Sequence, residues 1–161
     1  MDNSLLENLT VTLANLLDFD EIASLLNEIT DSIKQQKNWS NYNVNAEKEN
    51  QRKTFEKILN SESKVFVAKI NSEIVGILNL QIVSNIRHGW QRGHVEELVV
   101  KKEYRRIGIG TKLLQGAISY CQKNNIHMIK LMCGNQLSES QRFYEKNNFV
   151  FKDRGYRLEI K

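Results

Sequence analysis

The chain has 161 residues, which bounds it to about one domain with one sizeable core, and its 40% hydrophobic and 26% charged content is that of an ordinary soluble domain. Its 23 Lys and Arg against 19 Asp and Glu give a formal charge of +4, which permits an anionic partner, but no basic tract interleaved with aromatics supports nucleic acid in that role. No apolar run approaches the roughly 20 residues that span a bilayer, and Met1-Asp2-Asn3-Ser4-Leu5 has no basic-then-apolar signal pattern, so no membrane partner and a cytoplasmic location are expected.

No repeat, low-complexity segment or linker interrupts residues 1–161, so a single domain is expected. Leu9 to Ala14 alternates weakly and reads as a first strand. From Asp18 the pattern turns helical, with Ile22, Leu25, Leu26, Ile29 and Ile33 at spacings of three and four and Asp18 or Asp20 as N-cap. Asn38 to Asn45 is largely polar, with Trp39 and Tyr42, and reads as a loop. Glu47 to Leu59 forms a second helix, apolar at Phe55, Ile58 and Leu59. Lys64 to Ile70 and Ile74 to Val83 are rich in β-branched and apolar residues and flank Asn71-Ser72-Glu73, the pattern of a hairpin.

Asn85 to Gly93 reads as a loop or ragged hairpin end, and Val95 to Val100 as the next strand. Ile109, Leu113, Leu114, Ala117, Ile118 and Cys121 mark one face of a helix ending near Asn124-Asn125, followed by a strand from Ile126 to Cys133. Ser138 with Gln141 has the form of a capping box opening a helix through Tyr144 to Lys146. Phe149-Val150-Phe151 and Tyr156 to Ile160 then read as a closing hairpin. Val95 to Cys133 is a strand–helix–strand unit, which calls for a parallel pair and a right-handed crossover, whereas the preceding strands are antiparallel. The expectation is an α/β fold with a mixed, mostly antiparallel sheet of six or seven strands and about four helices.

Chemistry concentrates between the strand ending at Val100 and the next helix, in Lys101-Lys102-Glu103-Tyr104-Arg105-Arg106-Ile107-Gly108-Ile109-Gly110-Thr111. Glycines at a strand-to-helix turn allow close backbone approach, and the first helical N–H groups lack intrahelical acceptors. With the positive end of the helix dipole they form an anion site suited to a pyrophosphate, and Lys101, Lys102, Arg105 and Arg106 add charge. The turn is no dinucleotide-binding G-x-G-x-x-G, since Leu113 holds the third glycine position, and no P-loop, since Thr111 precedes Lys112. Glu96 and Glu97, adjacent on a strand, lie on opposite faces because side chains alternate. His88, His94 and His127 show no metal-ligand spacing with Cys121 or Cys133, so no metal is expected, and both cysteines read as core.

Taken together, Arg105-x-x-Gly108-x-Gly110 after this strand and Phe143-Tyr144-x-x-x-x-Phe149 on the later helix resemble the GNAT (GCN5-related N-acetyltransferase) superfamily, strongly from Ile74 to Phe151. The resemblance implies transfer of an acetyl group from acetyl-CoA to an amine acceptor. It places the pantetheine arm against the backbone of Leu98, Val99 and Val100, in a splay between that strand and Ile126–Cys133. It places the pyrophosphate on amides from Arg106 through Ile107, Gly108, Ile109 and Gly110 to Thr111, near Arg105, with Asn135 contacting the cofactor. Tyr144 is then the general acid toward the CoA sulfur and Glu96 the favoured base, with Glu97 the alternative. Asn135 also reads as a turn residue beside Gly134, Tyr144 as a core tyrosine, and either glutamate as a solvated strand residue. Trp39, Tyr42 and Trp90 serve either an acceptor wall or a homodimer interface. The competing class is a non-catalytic acyl-CoA-binding module.

Overall fold

A computed structural model describes residues 4–34, 47–134, 137–152, 155 and 158, with backbone alone for 4, 5, 29 and 31–34. Trp39, Tyr42, the rest of the predicted 38–45 loop, Asn135 and nearly all of the predicted 156–160 strand lie outside these residues. The chain divides into two compact units, Met1–Lys130 and Leu131–Lys161.

The first unit opens with a single helical turn, α1 (Ser4–Glu7), and strand β1 (Leu9–Leu13). The step into the first long helix, α2 (Phe19–Lys34), differs from expectation. Neither Asp18 nor Asp20 caps it; a 3-10 turn, Leu16–Asp18, precedes it, with Asn15 as N-cap. The Asn15 side chain accepts from the Leu17 amide and its own amide donates to Asp18, each at 2.8 Å. Asp18 is thereby turned inward, where Lys69 Nζ donates to it at 2.6 Å, so an ion pair with a buried carboxylate and a half-buried lysine replaces the predicted cap.

Helix α3 (Lys48–Leu59) follows, then β2 (Lys64–Ile70) and β3 (Glu73–Asn85). Asn71 (φ 49°) and Ser72 (φ 71°) both take left-handed conformations, the geometry of a two-residue hairpin whose twist matches its strands. The expected loop 85–93 is mostly strand, because β4 (Trp90–Val100) pairs back along β3 from Asn85↔Trp90. Helix α4 (Ile109–Lys123) leads to β5, which spans only Ile129–Leu131 of the predicted 126–133. Ile126 instead bonds back to the Cys121 carbonyl at the helix end.

Among the described residues the sheet has five strands in the order β1-β2-β3-β4-β5, with β1 through β4 successively antiparallel. Six or seven were expected. Phe149 to Phe151 forms no strand, and Val150 and Phe151 are exposed; a strand needs a ladder partner, and the expected one lies outside the described residues apart from Leu158.

Each sheet face is covered by helix, which is why β2 and β3 read as nearly continuous apolar runs. On one face Phe19, Ile22, Ala23 and Leu25 of α2 and Phe55 of α3 pack on Val65, Val67, Ile74 and Ile77. On the other lies α4, buried at Ile109, Leu113, Leu114, Ala117 and Cys121. Its approach is close: a Cβ added at Gly76 of β3 would stand 3.2 Å from Leu113 Cδ1 and 3.0 Å from the Val99 carbonyl. Leu113 has no solvent exposure. Leu113→Ala should therefore leave a cavity under α4 and lower stability by about 2–5 kcal/mol, measured by urea denaturation.

Candidate active site

The β3–β4 ladder slips once. Asn79 pairs with Glu97 and Leu80 with Val95, which leaves Glu96 as an extra residue on β4. A bulge of this kind defeats alternation. Asn79 and Gln81 are two apart on β3 and share a face; Glu97 stands opposite Asn79, and His94 opposite Gln81. His94 Nε2 in turn lies 3.5 Å from Glu96 Oε2. Both glutamates therefore occupy the sheet face that α2 and α3 cover, and the opposite facing expected from strict alternation is corrected.

Their surroundings differ. The Glu96 side chain is 48% exposed, while Glu97 is half-buried. Glu97 accepts a 2.6 Å hydrogen bond from Asn79 Nδ2. Burial pushes the Glu97 carboxyl above its ordinary range, the Asn79 bond pulls it back, and the neighbouring Glu96 charge pushes it up again. Asn79 is 7% exposed, and its Oδ1 is buried without a partner. An unmade hydrogen bond of that kind costs about 1–3 kcal/mol. Sequence reasoning passed over this residue, although an amide between Leu78 and Leu80, in a strand that is otherwise apolar for most of its length, was a visible signal.

Beyond Glu97 the strand runs through Leu98, Val99 and Val100. Val99 packs toward the α2 side, while Leu98 and Val100 stand opposite Leu78 and Gly76 on the α4 side. A second 3-10 turn, Lys102–Tyr104, then leads into the loop before α4. Lys101 is tied at both ends: its amide donates to the Val75 carbonyl at 2.9 Å, and its ammonium pairs with Glu73 at 2.5 Å. Glu73 also accepts from the Tyr104 hydroxyl at 3.3 Å. Lys101 thus spends its charge on β3 rather than on the turn. Arg105 folds back, its Nε donating to the Val100 carbonyl at 2.9 Å.

Arg106 (φ 65°) and Gly108 (φ 99°) both take left-handed backbone, and Gly108 is the N-cap of α4 with no side-chain cap. The Ile109 side chain is buried in the core, so that residue offers the turn only its amide. The N–H groups of Ile109, Gly110 and Thr111 open the helix and have no intrahelical acceptors. A Cβ at Gly108 would meet nothing within 4 Å, so the space over the turn is open. Left-handed residues before an uncapped helix start form a concave set of amides able to hold an anion.

Tyr144 belongs to the second unit, on α5 (Ser138–Lys146). The helix starts one residue earlier than a capping box requires: Leu137 is its N-cap, Ser138 lies inside it, and Gln141 Nε2 donates to the Gly134 carbonyl at 3.0 Å. Tyr144 packs edge-on against Phe143 and Phe149, with ring centroids 5.2 and 5.7 Å away. Burial, with Cys133 adding to it, pushes its hydroxyl up to about 12, so it stays protonated and able to donate through the neutral range. Cys121 is buried, and its thiol is likewise pushed up to about 11, against a role as nucleophile. Among the described residues no three His, Cys, Asp or Glu side chains cluster to hold a metal, and no helix is long and apolar enough to cross a membrane.

The model of the acetyltransferase (GNAT) family matches residues 26–149. An N-alpha-acetyltransferase of Sulfurisphaera tokodaii is 38% identical over 63 residues, 35% of this chain and 38% of that one. A glucosamine 6-phosphate N-acetyltransferase of Trypanosoma brucei brucei is 29% identical over 99 residues, 61% of this chain and 65% of that one. The chain therefore matches less than two thirds of the length of either relative. The crystal structure of a transcriptional regulator from Bacillus halodurans C-125 superposes with a TM-score of 0.80 at 23% identity, covering 94% of this chain and 99% of that one, a likeness that shows the fold alone.

The left-handed turn gives a direct test. Gly108→Ala meets open space, so its cost comes from backbone conformation alone and should be about 1–2 kcal/mol of stability by urea denaturation.

Proposed function

Because the chain belongs to the GNAT acetyltransferase family, we propose that residues 1–161 act as one acetyl-CoA-dependent N-acetyltransferase domain that moves the acetyl group directly to a primary amine. The observation that carries this reading is the continuity of a single strand. β4 presents two carboxylates on one face and leads, through one 3-10 turn, into an open, glycine-capped turn suited to an anion. Acetyl-CoA supplies the activated acetyl thioester. The amides from Arg106 to Thr111 suit its pyrophosphate, the backbone of Leu98, Val99 and Val100 its pantetheine arm, and Asn135 remains part of the proposed cofactor contact.

An amine attacks only when uncharged, so a group must take its proton, and the departing thiolate must receive one. Glu97 rather than Glu96 is the proposed base, because it is half-buried on the shared face, held by Asn79, and its carboxyl is raised above the ordinary range by burial. Glu96, on the same face and exposed, stands where an incoming cationic amine would meet it. Tyr144, held protonated, returns a proton to the thiolate. The two relatives are named for an α-amine and an amino-sugar phosphate, and a primary amine is the acceptor chemistry common to both.

The test is free-thiol release from acetyl-CoA against a panel of primary amines; release with none of them would leave binding without transfer. With an acceptor in hand, Tyr144→Phe should lower kcat toward the smaller end of the roughly 10²–10⁴-fold range for general acids, since a thiolate leaves readily, with little change in acetyl-CoA affinity. Activity should fall as pH drops through the raised Glu97 titration, because protonation removes the base. Glu97→Gln should abolish that acid limb, and its defect should shrink at high pH, where the amine deprotonates unaided. A larger defect in Glu96→Gln would return the role to Glu96.

Charge gives a further expectation. Acetyl-CoA affinity should weaken in graded fashion with added salt, and weaken again in the Arg105→Ala, Arg106→Ala double variant, since exposed charges are screened over about 8 Å at physiological ionic strength. Isothermal titration at several salt concentrations measures both.

A further inference from the structure

We propose that Asn79 is a positioning residue for Glu97, its buried side-chain amide holding the carboxylate in the place and form that accept a proton. The proposal rests on the reading of Glu97 as base, and its first test needs no acceptor. Asn79 lies on β3 between Leu78 and Leu80, neither of which has any solvent exposure. The ladder sets it directly opposite Glu97, at the step where the register slips. Its Nδ2 donates to Glu97 Oε2 at 2.6 Å, while its Oδ1 is buried without a partner. A residue kept here for packing alone would be better apolar, because half of this amide is unsatisfied.

An amide at this place suits both protonation states. Nδ2 donates to the carboxylate; once Glu97 has taken a proton, a half-turn of the amide brings Oδ1 round to accept from the new O–H. The unpartnered oxygen is therefore what the second half of a proton cycle requires.

Of the charged groups on the elements that cover this face, α3 carries Lys48, Glu49, Arg52, Lys53, Glu56 and Lys57; Lys53 pairs with Glu49 at 3.4 Å and Arg52 lies over the Phe19 ring at 4.6 Å. On β4 itself Arg92, His94 and Glu96 share the face; the polar side chains of β3 on this face are the neutral amides Asn79, Gln81 and Asn85. On α2, Asp20 is paired with Lys48 at 2.7 Å, and Glu21 accepts from the Ile74 amide at 3.0 Å; Glu28 carries the helix's remaining described charge. Just before α2, Asp18 is paired with Lys69 at 2.6 Å. Lys130 lies on β5, and α4 covers the opposite face. Of these, Glu96 is the one whose charge acts on Glu97, and it acts against ionisation. Asn79 is the group that favours it.

The experiment follows the carboxyl carbon of Glu97 by NMR in protein labelled with 13C-glutamate, the signal being assigned by its loss in Glu97→Gln. In Asn79→Leu the Glu97 titration should move to higher pH, while thermal stability stays level or rises because an unsatisfied oxygen has gone. With an acceptor, kcat/KM on the acid limb of the profile should fall about tenfold, the lower bound for losing a hydrogen bond to a charged group, while the high-pH plateau holds. Asn79→Ala, which removes the donor and adds neither bulk nor charge, is the second variant should Asn79→Leu fail to fold, and should move the titration the same way. An unmoved Glu97 titration in a folded variant overturns the proposal. A titration that moves while the acid limb of the rate profile stays put upholds the positioning and instead rejects Glu97 as base.

Discussion

Between Asn79 and Leu80 the β3–β4 ladder takes in one residue more on β4 than on β3, and the chemistry-bearing end of the strand depends on that slip. Without it, Glu96 and Glu97 would face opposite layers, one under α4 and the other toward α2. With it, both stand on one face, one exposed and one half-buried. On the half-buried one, Glu97, desolvation pushes the carboxyl up and a single amide pulls it back. The same slip brings Asn79 opposite Glu97 and keeps it there, since ladder pairs are fixed by backbone hydrogen bonds on either side.

The turn after β4 owes its shape to packing as much as to glycine. Ile109 and Leu113 are pulled into the core against β3, which holds the start of α4 near the end of β4. Lys101, clamped by the Val75 carbonyl and by Glu73, fixes where the strand ends. Between these two anchors the chain must reverse within a few residues, and it does so through left-handed backbone at Arg106 and Gly108. The strained conformation at Arg106, a residue with a Cβ, persists because both flanks are held. The helix amides are then left facing open space.

Proton chemistry sorts the proposed acid and base by environment. Burial acts on Tyr144 and on Glu97 in the same direction, disfavouring the charged form, yet with opposite consequences. For the phenol it preserves a donor across the neutral range. For the carboxylate it raises basicity, and the Asn79 bond limits that rise so that the ionised form remains accessible.

Much was determined by local sequence. Apolar runs of β-branched residues specified β2 and β3, the spacing of Leu113, Leu114, Ala117 and Cys121 specified the buried face of α4, and the glycines at 108 and 110 marked the turn, because each depends on near neighbours in the chain. The family motif at Arg105, Gly108 and Gly110 and at Phe143, Tyr144 and Phe149 was legible for the same reason. Tertiary structure decided what depends on residues far apart. Asp18, which reads as a cap, is drawn inward by Lys69, fifty-one positions away. Lys101, which reads as added charge beside the turn, is taken by Glu73. Glu96 and Glu97, which alternation separates, share a face because the bulge is a property of two strands in register, and no single strand's periodicity contains it. Asn79 was visible as an amide among leucines, but its meaning came from the residue across the ladder, which only the paired sheet supplies.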